Sequence, residues 1–404
     1  MDPYRNPFSP GAGTPPPELA GRSEILRDIK IALVRVKAGR PDRSQLLVGL
    51  RGVGKTVLLT EVEKIAESVG YQTVLIEARE DTPFMKQLVP HLRKLLMRLD
   101  AGEMVSAEVK RGWRVLRSFV ASLKLKLGDD IEIGFDGESE RGAADSGALD
   151  LDLQEVFTAI GTAAAARSSG VAIIIDELQY LTENELSAVI MAVHKISQRQ
   201  LPLIVVGAGL PQLVGNAGRA KSYAERLFVF PKIGPLSDSD AYEALQGPAL
   251  TQGVEFTREA LAEIIKITGG YPYFLQEWGF QTWNEAKSSP IGAEVVSFAN
   301  KRAIERLDSS FFRVRFDRLT PREKDYLRAM AELGGSVSRS GEIASLLGMQ
   351  SASAAPLRNT LIHKGMIYSP QHGDTAFTVP LFDQFMKRTM PDMPGKKPTK
   401  TADG

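Results

Sequence analysis

Residues 46–59 have the sequence LLVGLRGVGKTVLL, an apolar run that three glycines, an arginine and a lysine interrupt. The stretch GLRGVGKT (49–56) fits the P-loop pattern G-x-x-x-x-G-K-[ST] at every fixed position. Residues 44–50 predict a buried strand, and residues 57–70 have apolar side chains at helical spacing up to a glycine. A glycine-rich turn that binds nothing is the alternative, but this strand–loop–helix context favours a phosphate-binding loop.

The chemistry of this loop follows from its residue types. Glycines let backbone N–H groups curl around phosphate oxygens, and the helix N-terminus adds partial positive charge. Lys55 is expected to reach the β- and γ-phosphates, and the Thr56 hydroxyl is expected to ligate Mg²⁺. The predicted nucleotide contacts in the loop are Gly49, Arg51, Gly52, Val53, Gly54, Lys55, Thr56 and Val57.

The stretch GVAIIIDELQYL (170–181) supplies the second half of such a site. Residues 171–175 predict a buried strand, with Asp176 and Glu177 at its carboxyl end, the edge where parallel sheets bind ligands. Asp176 is expected in the Mg²⁺ shell, and Glu177 is expected to polarise the attacking water. A strand that merely ends in two acids is the alternative. Together the motifs predict an ATP site, because no Asn-Lys-x-Asp segment for guanine is present.

Strand and helix patterns alternate through the first 237 residues, which predicts an α/β P-loop NTPase with a parallel sheet covered by helices on both faces. Four helical patterns then predict a small lid. Three helices and a hairpin after it predict an α+β winged-helix domain. The predicted boundaries are a lead-in at 1–16, a P-loop core at 17–237, a helical lid at 238–308, a winged-helix domain at 309–390 and a disordered tail at 391–404.

The chain between the two nucleotide motifs is longer than one βα unit needs, so we predict an insertion at about 100–150. Within it, residues 123–136 (LKLKLGDDIEIGFD) alternate around Gly-Asp-Asp, which is typical of a hairpin. The insertion is interpreted either as a surface for a protein partner or as a flap carried by a loop.

Composition excludes several function classes. The 404 residues are 43% hydrophobic and 25% charged, with a net charge of +1. No cysteine is present, which excludes disulfides and thiol catalysis and fits a reducing compartment. The four histidines lack ligand spacing, so no structural metal is predicted. No secretory signal or apolar run of membrane-spanning length is recognised, and a cytoplasmic location without membrane contact is expected.

The chain resembles AAA+ ATPases of the initiator-type clade and the neighbouring STAND signalling ATPases over about residues 17–390. The resemblance rests on five stretches, namely LAGRSEIL (19–26), GLRGVGKT (49–56), IIIDEL (173–178), ERLFVFPKI (225–233) and GGYPYFLQ (269–276). It implies that Gly21 and Arg22 lie near the adenine and that Pro272 of the lid packs near the nucleotide. It also implies that Arg226 is an arginine finger for a neighbouring subunit's γ-phosphate, and hence a nucleotide-dependent homo-oligomer. A surface arginine that caps a helix is the alternative for Arg226.

Two departures from the family pattern bear on catalysis. The fourth strand ends in IVVGAG (204–209) where initiator-type proteins place a polar sensor, so water positioning is left to Glu177 alone or to Gln179 or Gln212. The lid motif also lacks the usual sensor arginine. Slow turnover, as in a switch, is therefore expected.

The predicted winged helix suggests duplex DNA as a ligand. Its third helix, residues 351–364, offers Arg358, Asn359 and Lys364 as contacts. Residues 301–390 carry 14 Lys or Arg against 9 Asp or Glu, a mildly basic balance. Four arginines in FFRVRFDRLTPR (311–322) either face phosphate or clamp the linker onto the ATPase core.

Two functions remain open from sequence. The first is an ATP-dependent DNA-binding factor whose ATP or ADP state controls oligomerisation and the winged helix. The second is a STAND-type signalling ATPase that acts on protein partners without nucleic acid. A metabolic P-loop kinase is disfavoured, because the lid and winged helix leave no evident small-substrate pocket.

Overall fold

The computed structural model describes residues 1–11, 13, 16, 19–100, 106–127, 139–140, 142–335 and 337–393. Within these residues, six strands form one parallel sheet in the order β2-β3-β4-β1-β5, with β6 also paired to β1. The strands are β1 (Ser44–Gly49), β2 (Tyr71–Glu77), β3 (Gly170–Asp176), β4 (Leu203–Gly209), β5 (Phe228–Val229) and β6 (Lys232–Ile233). Because the pairs are parallel, the loop after β1 and the acids that end β3 lie at the same edge of the sheet.

Helices cover both faces of the sheet, as the alternating pattern predicts. One face is packed by α1 (Ser23–Lys37) and α2 (Lys55–Ser68). The other face is packed by α3 (Phe84–Asp100), α4 (Ala107–Leu127), α5 (Leu149–Ala166) and α6 (Glu183–Gln198), and α7 (Leu213–Ala220) and α8 (Ala224–Leu227) lie beside them. The predicted P-loop architecture is confirmed.

The predicted hairpin at 123–136 is wrong over its first strand. Helix α4 continues through Leu127, so residues 123–127 are helical. Buried apolar residues recur at helical spacing along it, among them Leu116, Phe119 and Leu123, and they pack on α3 and α5. This packing outweighs the local alternation at the end of the helix. The second predicted strand lies outside the described residues.

The lid is helical as predicted. It consists of α9 (Asp238–Thr251), α10 (Arg258–Thr268), α11 (Pro272–Glu285) and α12 (Ala293–Arg306). A π-helical segment, Leu307–Phe312, joins α12 to α13 (Arg313–Asp317). Trp278 and Trp283 of α11 are buried in the lid core.

The C-terminal region contains the predicted three helices and hairpin, with a further short strand and helix. Its elements are α14 (Pro321–Glu332), β7 (Ser338–Arg339), α15 (Ser340–Leu346), α16 (Ser351–His363), β8 (Ile367–Tyr368), β9 (Asp374–Phe377) and α17 (Phe382–Thr389). The strands form an antiparallel sheet in the order β7-β9-β8. Thr320 caps α14 in a capping box with Glu323. The winged-helix interpretation and the domain boundaries stay predictions.

The N-terminal segment, residues 1–11, is packed along the lid. Phe8 is 1% exposed and belongs to the hydrophobic core of the lid. Trp283 Nε1 donates to the Asp2 carbonyl at 3.0 Å, and the Ser9 amide donates to Gln276 Oε1 at 3.1 Å. A Cβ added to Gly279 would lie 2.7 Å from the Phe8 ring, so this close approach needs glycine.

Within the described part of the chain, no helix is both long and apolar enough to span a bilayer.

Replacing Gly279 with Ala tests this packing. The added methyl displaces the buried Phe8 ring, and overpacking of this kind costs about 1–3 kcal/mol, so the melting temperature should fall. Gly218→Ala on the exposed face of α7 is the matched control, because its Cβ meets nothing within 4 Å. Thermal unfolding followed by circular dichroism measures both variants. If Gly279→Ala is as stable as Gly218→Ala, the N-terminal segment is not held there.

Candidate nucleotide-binding site

The loop between β1 and α2 has the backbone that a phosphate cradle requires. Gly52 and Gly54 adopt positive φ angles of 83° and 92°, a region that favours glycine. A Cβ on Gly49 would lie 2.3 Å from the Ile233 carbonyl oxygen. Helix α2 begins at Lys55, so its N-terminal N–H groups face the space above the loop.

Lys55 is buried at the base of this loop. Its Nζ donates to the carbonyls of Gly49 at 3.0 Å and Leu50 at 2.8 Å. Burial lowers the pKa of Lys55, while Glu177 and Asp176 act in the opposite direction. The Lys55 amine therefore donates to two neutral carbonyl oxygens, and phosphate oxygens can take the place of these acceptors.

Asp176 and Thr56 meet at the carboxyl edge of the sheet. Thr56 Oγ1 donates to Asp176 Oδ2 at 2.6 Å, and the Glu177 amide donates to Asp176 Oδ1 at 2.8 Å. Burial raises the pKa of Asp176. A hydroxyl and a carboxylate oxygen beside a phosphate loop are ligands that suit Mg²⁺, so the residues fit the predicted metal.

Glu177 lies at the mouth of the site in a strained conformation. Its φ of 54° is uncommon for a residue other than glycine. Gln179 Nε2 donates to one carboxylate oxygen, and Arg51 Nη1 lies 3.7 Å from the other. Gln179 Oε1 in turn accepts from the Leu210 amide at 3.0 Å, which ties the side chain to the end of β4. The Glu177 carboxylate is therefore oriented from two sides.

Arg51 joins the loop to the C-terminal region. Its backbone amide donates to the Thr378 carbonyl at 3.1 Å, and its Nε donates to the Gly365 carbonyl at 3.4 Å. Its Nη2 donates to the Tyr180 hydroxyl at 2.9 Å. The P-loop thus contacts the turn between α16 and β8 and the end of β9.

A cavity of about 460 Å³ lies over the loop, within the size range of small-molecule sites. The lid, the P-loop, the N-terminal segment and the segment before α14 all contribute to its walls. Lining residues outside the P-loop include Ser9, Pro10, Gly11, Arg22, Glu177, Pro272, Tyr273, Gln276, Phe311 and Arg315.

The predicted site residues outside the loop take different positions. Arg22 and Pro272 line the cavity, and Arg22 is buried and donates to the Gly234 carbonyl. Gly21 is the positive-φ turn beside it, where a Cβ would lie 2.6 Å from Asp240. Arg226 is exposed on α8 and does not line the cavity of its own chain, so its role in trans stays a prediction.

Sequence reasoning missed two walls of the cavity. The N-terminal segment was expected to be only an extended lead-in, and it has no local motif. Arg315 was one of the four clustered arginines, and that cluster was the available signal. The structure separates its members: Arg315 lines the cavity, Arg318 lies 3.3 Å from Glu80 of the core, and Arg313 lies 3.0 Å from Asp317.

Between the two glutamines left open for catalysis, the contacts favour Gln179, which is bonded to Glu177. Within the described residues, the buried Gln212 Oε1 has no hydrogen-bond partner.

Two of the three predicted DNA contacts are used inside the chain. Arg358 donates to Thr375 Oγ1 at 3.0 Å and to the Asp374 carbonyl at 2.9 Å, which holds α16 on β9. Lys364 Nζ lies 2.8 Å from the buried Glu323 carboxylate. Asn359 is exposed. Arg358 and Lys364 are therefore already bonded within the chain, and their role as DNA contacts stays a prediction.

Comparison with known proteins agrees with this geometry. Residues 18–206 match the family model of the AAA ATPase domain, and residues 309–386 match a domain of unknown function, DUF8462. The described fold of the first part of the chain, a parallel sheet with a P-loop, agrees with this match.

Three individual proteins show similarity over most of the chain. An uncharacterised HTH-type transcriptional regulator, MJ0774 of Methanocaldococcus jannaschii, is 23% identical over 371 residues, covering 88% of this chain and 85% of that protein. The Walker-type ATPase PABY2304 of Pyrococcus abyssi superposes with a TM-score of 0.56 at 17% identity, covering 93% of this chain and 97% of that one. The ORC1 protein of Aeropyrum pernix, solved in complex with DNA, gives a TM-score of 0.45 at 19% identity, covering 93% and 94%. Of the two structures, only the Pyrococcus ATPase supports the fold.

Replacing Gln179 with Leu tests whether this residue positions Glu177. The change keeps the size but removes the amide that bonds the carboxylate, so kcat for ATP hydrolysis should fall about tenfold to hundredfold with the ATP dissociation constant unchanged. Gln198→Leu is the control, because among the described residues the side chain of this exposed glutamine is bonded to His194 and not to the site. Steady-state kinetics and calorimetry give the two quantities. An unchanged kcat would show that Gln179 does not position Glu177.

Proposed function

We propose that the chain is a slow, Mg²⁺-dependent ATPase that works as a switch, in which the bound nucleotide controls how the C-terminal region lies against the P-loop. The observation that carries this proposal is Arg51, which lies beside the catalytic carboxylate and donates to the Thr378 carbonyl. Arg51 therefore connects the phosphate end of the site directly to the C-terminal region.

The residues have distinct roles in the proposed reaction. The loop N–H groups and Lys55 hold the phosphates, and Glu177, oriented by Gln179, polarises the attacking water. Thr56 and Asp176 would hold Mg²⁺, which supplies positive charge against the developing negative charge. ADP and phosphate are the products.

Oligomerisation is a further part of the proposal. Arg226 precedes β5 on a short helix, is exposed, and is not among the described residues that line the nucleotide cavity. An exposed arginine can reach the γ-phosphate of a neighbouring subunit, and such arginines raise turnover strongly where they act. ATP would then favour a homo-oligomer.

Duplex DNA is the ligand that we propose for the C-terminal region. Supporting observations are its three helices and hairpin and its mildly basic composition. The name of the Methanocaldococcus relative, an HTH-type transcriptional regulator, supports the same ligand. Helix α16 presents exposed polar residues at Ser351, Ser353, Asn359 and Thr360.

A protein partner without nucleic acid is the second candidate. It is favoured by the fact that both basic side chains of residues 351–364, Arg358 and Lys364, are bonded within the chain. Helix α4 in the insertion is packed on the core and offers a second surface for such a partner.

ATP turnover measured against protein concentration, with and without duplex DNA, tests the proposed activity. We expect slow hydrolysis that requires Mg²⁺ and is lost in Glu177→Gln and Lys55→Ala. A rate per subunit that rises with concentration and falls in Arg226→Ala supports the trans arginine. Turnover that survives Glu177→Gln would contradict the assigned carboxylate.

Charge placed on the exposed face of α16 tests DNA as the ligand. Ser353→Glu with Asn359→Glu adds two negative charges against phosphate, so duplex affinity should fall about tenfold or more at low salt. Ser297→Glu on the exposed face of lid helix α12 is the control for added charge. Fluorescence anisotropy with a labelled duplex gives the dissociation constants. Wild-type protein that binds no duplex in the ATP or the ADP state would favour the protein-partner candidate.

A further inference from the structure

A second cavity of about 150 Å³ lies between the P-loop and the C-terminal region. Four cationic side chains line it: Arg51, Arg315, Arg318 and Lys364. Arg51 and Arg315 also line the nucleotide cavity, so the two spaces adjoin at these residues. Such a concentration of positive charge in a small cleft favours an anionic ligand.

Three of the four cations already have a carboxylate partner. Arg51 lies 3.7 Å from Glu177, and Arg318 lies 3.3 Å from Glu80. Lys364 lies 2.8 Å from Glu323. These three charges are balanced within the chain, so they need no ligand.

Arg315 differs from them. Among the described residues no carboxylate lies within ion-pair distance of it, although Glu177 is close enough to act on its charge. Its Nη1 donates to the Phe311 carbonyl, and its guanidinium lies 4.1 Å from the centre of the Phe311 ring. Burial and, second to it, the Arg51 charge lower the pKa of Arg315 to about 10. A largely buried charge without a counter-ion is costly, and an anion removes that cost.

We propose that Arg315 is the centre of a phosphoryl-binding subsite, filled either by the γ-phosphate of bound ATP or by inorganic phosphate. This inference rests on the proposed function, because it assigns a ligand to one end of the same site. The planar guanidinium offers paired donors that suit phosphate oxygens. Neither the P-loop nor the lid motif contains this residue, which follows the lid on α13.

The position of Arg315 also links the subsite to regulation. Helix α13 leads directly into α14, and the same cleft is lined by Lys364 and Met366 of the C-terminal region. A phosphoryl group in the cleft is therefore bonded by a residue next to the C-terminal region, which is the part expected to move. Its presence holds the C-terminal region against the P-loop, and its loss weakens that contact.

The test compares Arg315→Ala and Arg315→Lys with Arg313→Ala in the full chain. Arg313 is the matched control, because it is exposed on the same helix and paired with Asp317. Calorimetry measures the dissociation constants of ADP and of the β,γ-imido analogue of ATP, each with Mg²⁺. Inorganic phosphate is titrated onto the nucleotide-free protein and onto the ADP complex.

If the γ-phosphate is the ligand, Arg315→Ala should weaken the imido analogue about tenfold to hundredfold and ADP by less than about twofold. Arg315→Lys should recover part of the loss, and Arg313→Ala should change neither constant. If free phosphate is the ligand, Arg315→Ala should abolish phosphate binding and leave both nucleotides unchanged.

An equal loss for ADP and the analogue would show a merely structural role for Arg315 and overturn the proposal, as would no loss for any ligand. Failure of the proposed function is a separate result, namely a wild-type protein that binds neither nucleotide. The phosphate titration on that nucleotide-free protein still tests the subsite. Loss of phosphate binding in Arg315→Ala supports the subsite. Phosphate binding that is unchanged in the variant, or absent in the wild type, overturns it.

Discussion

The Arg51 side chain brings a positive charge to the point where the P-loop, the end of β3 and the C-terminal region meet. Burial opposes this charge, but Glu177 and Tyr180 outweigh the burial and raise the pKa of Arg51, so the guanidinium stays charged. A charged group held by Glu177 on one side and by the Gly365 carbonyl on the other cannot move without affecting both. The environment of the Glu177 carboxylate therefore depends on where the C-terminal region lies.

The core of the site could be predicted from sequence because its signals are local. A run of buried β-branched residues marks β3, and the two acids follow it directly. The P-loop motif has glycine at positions 52 and 54, and the backbone adopts positive φ angles, which favour glycine, at both positions. The parallel sheet then follows from the alternation of β and α, since parallel strands need crossovers. Each of these predictions uses only residues that are neighbours in the sequence, together with the rule that parallel strands need crossovers.

The rest of the site depends on contacts between distant parts of the chain. Phe8 fits against Gly279, and nothing near either residue in the sequence indicates this contact. Arg315 and Arg313 have similar local sequence, yet one lines the cavity and the other pairs with Asp317 on the surface. The alternation at residues 123–127 predicted a strand, whereas packing of α4 on α5 made it helical. Tertiary packing decides all three cases.

In the proposed site, Lys55 and Arg315 do not respond equally to loss of a phosphate. Lys55 belongs to α2 and has the carbonyls of Gly49 and Leu50 as ready acceptors. Arg315 belongs to α13 and has one carbonyl and one aromatic ring, both from Phe311. In the proposed site, removal of the phosphate leaves Lys55 with two neutral partners and Arg315 with a partly buried, poorly satisfied charge. Under the proposed function, the energetic difference between ATP and ADP is therefore concentrated on the side of the cavity that continues into the C-terminal region.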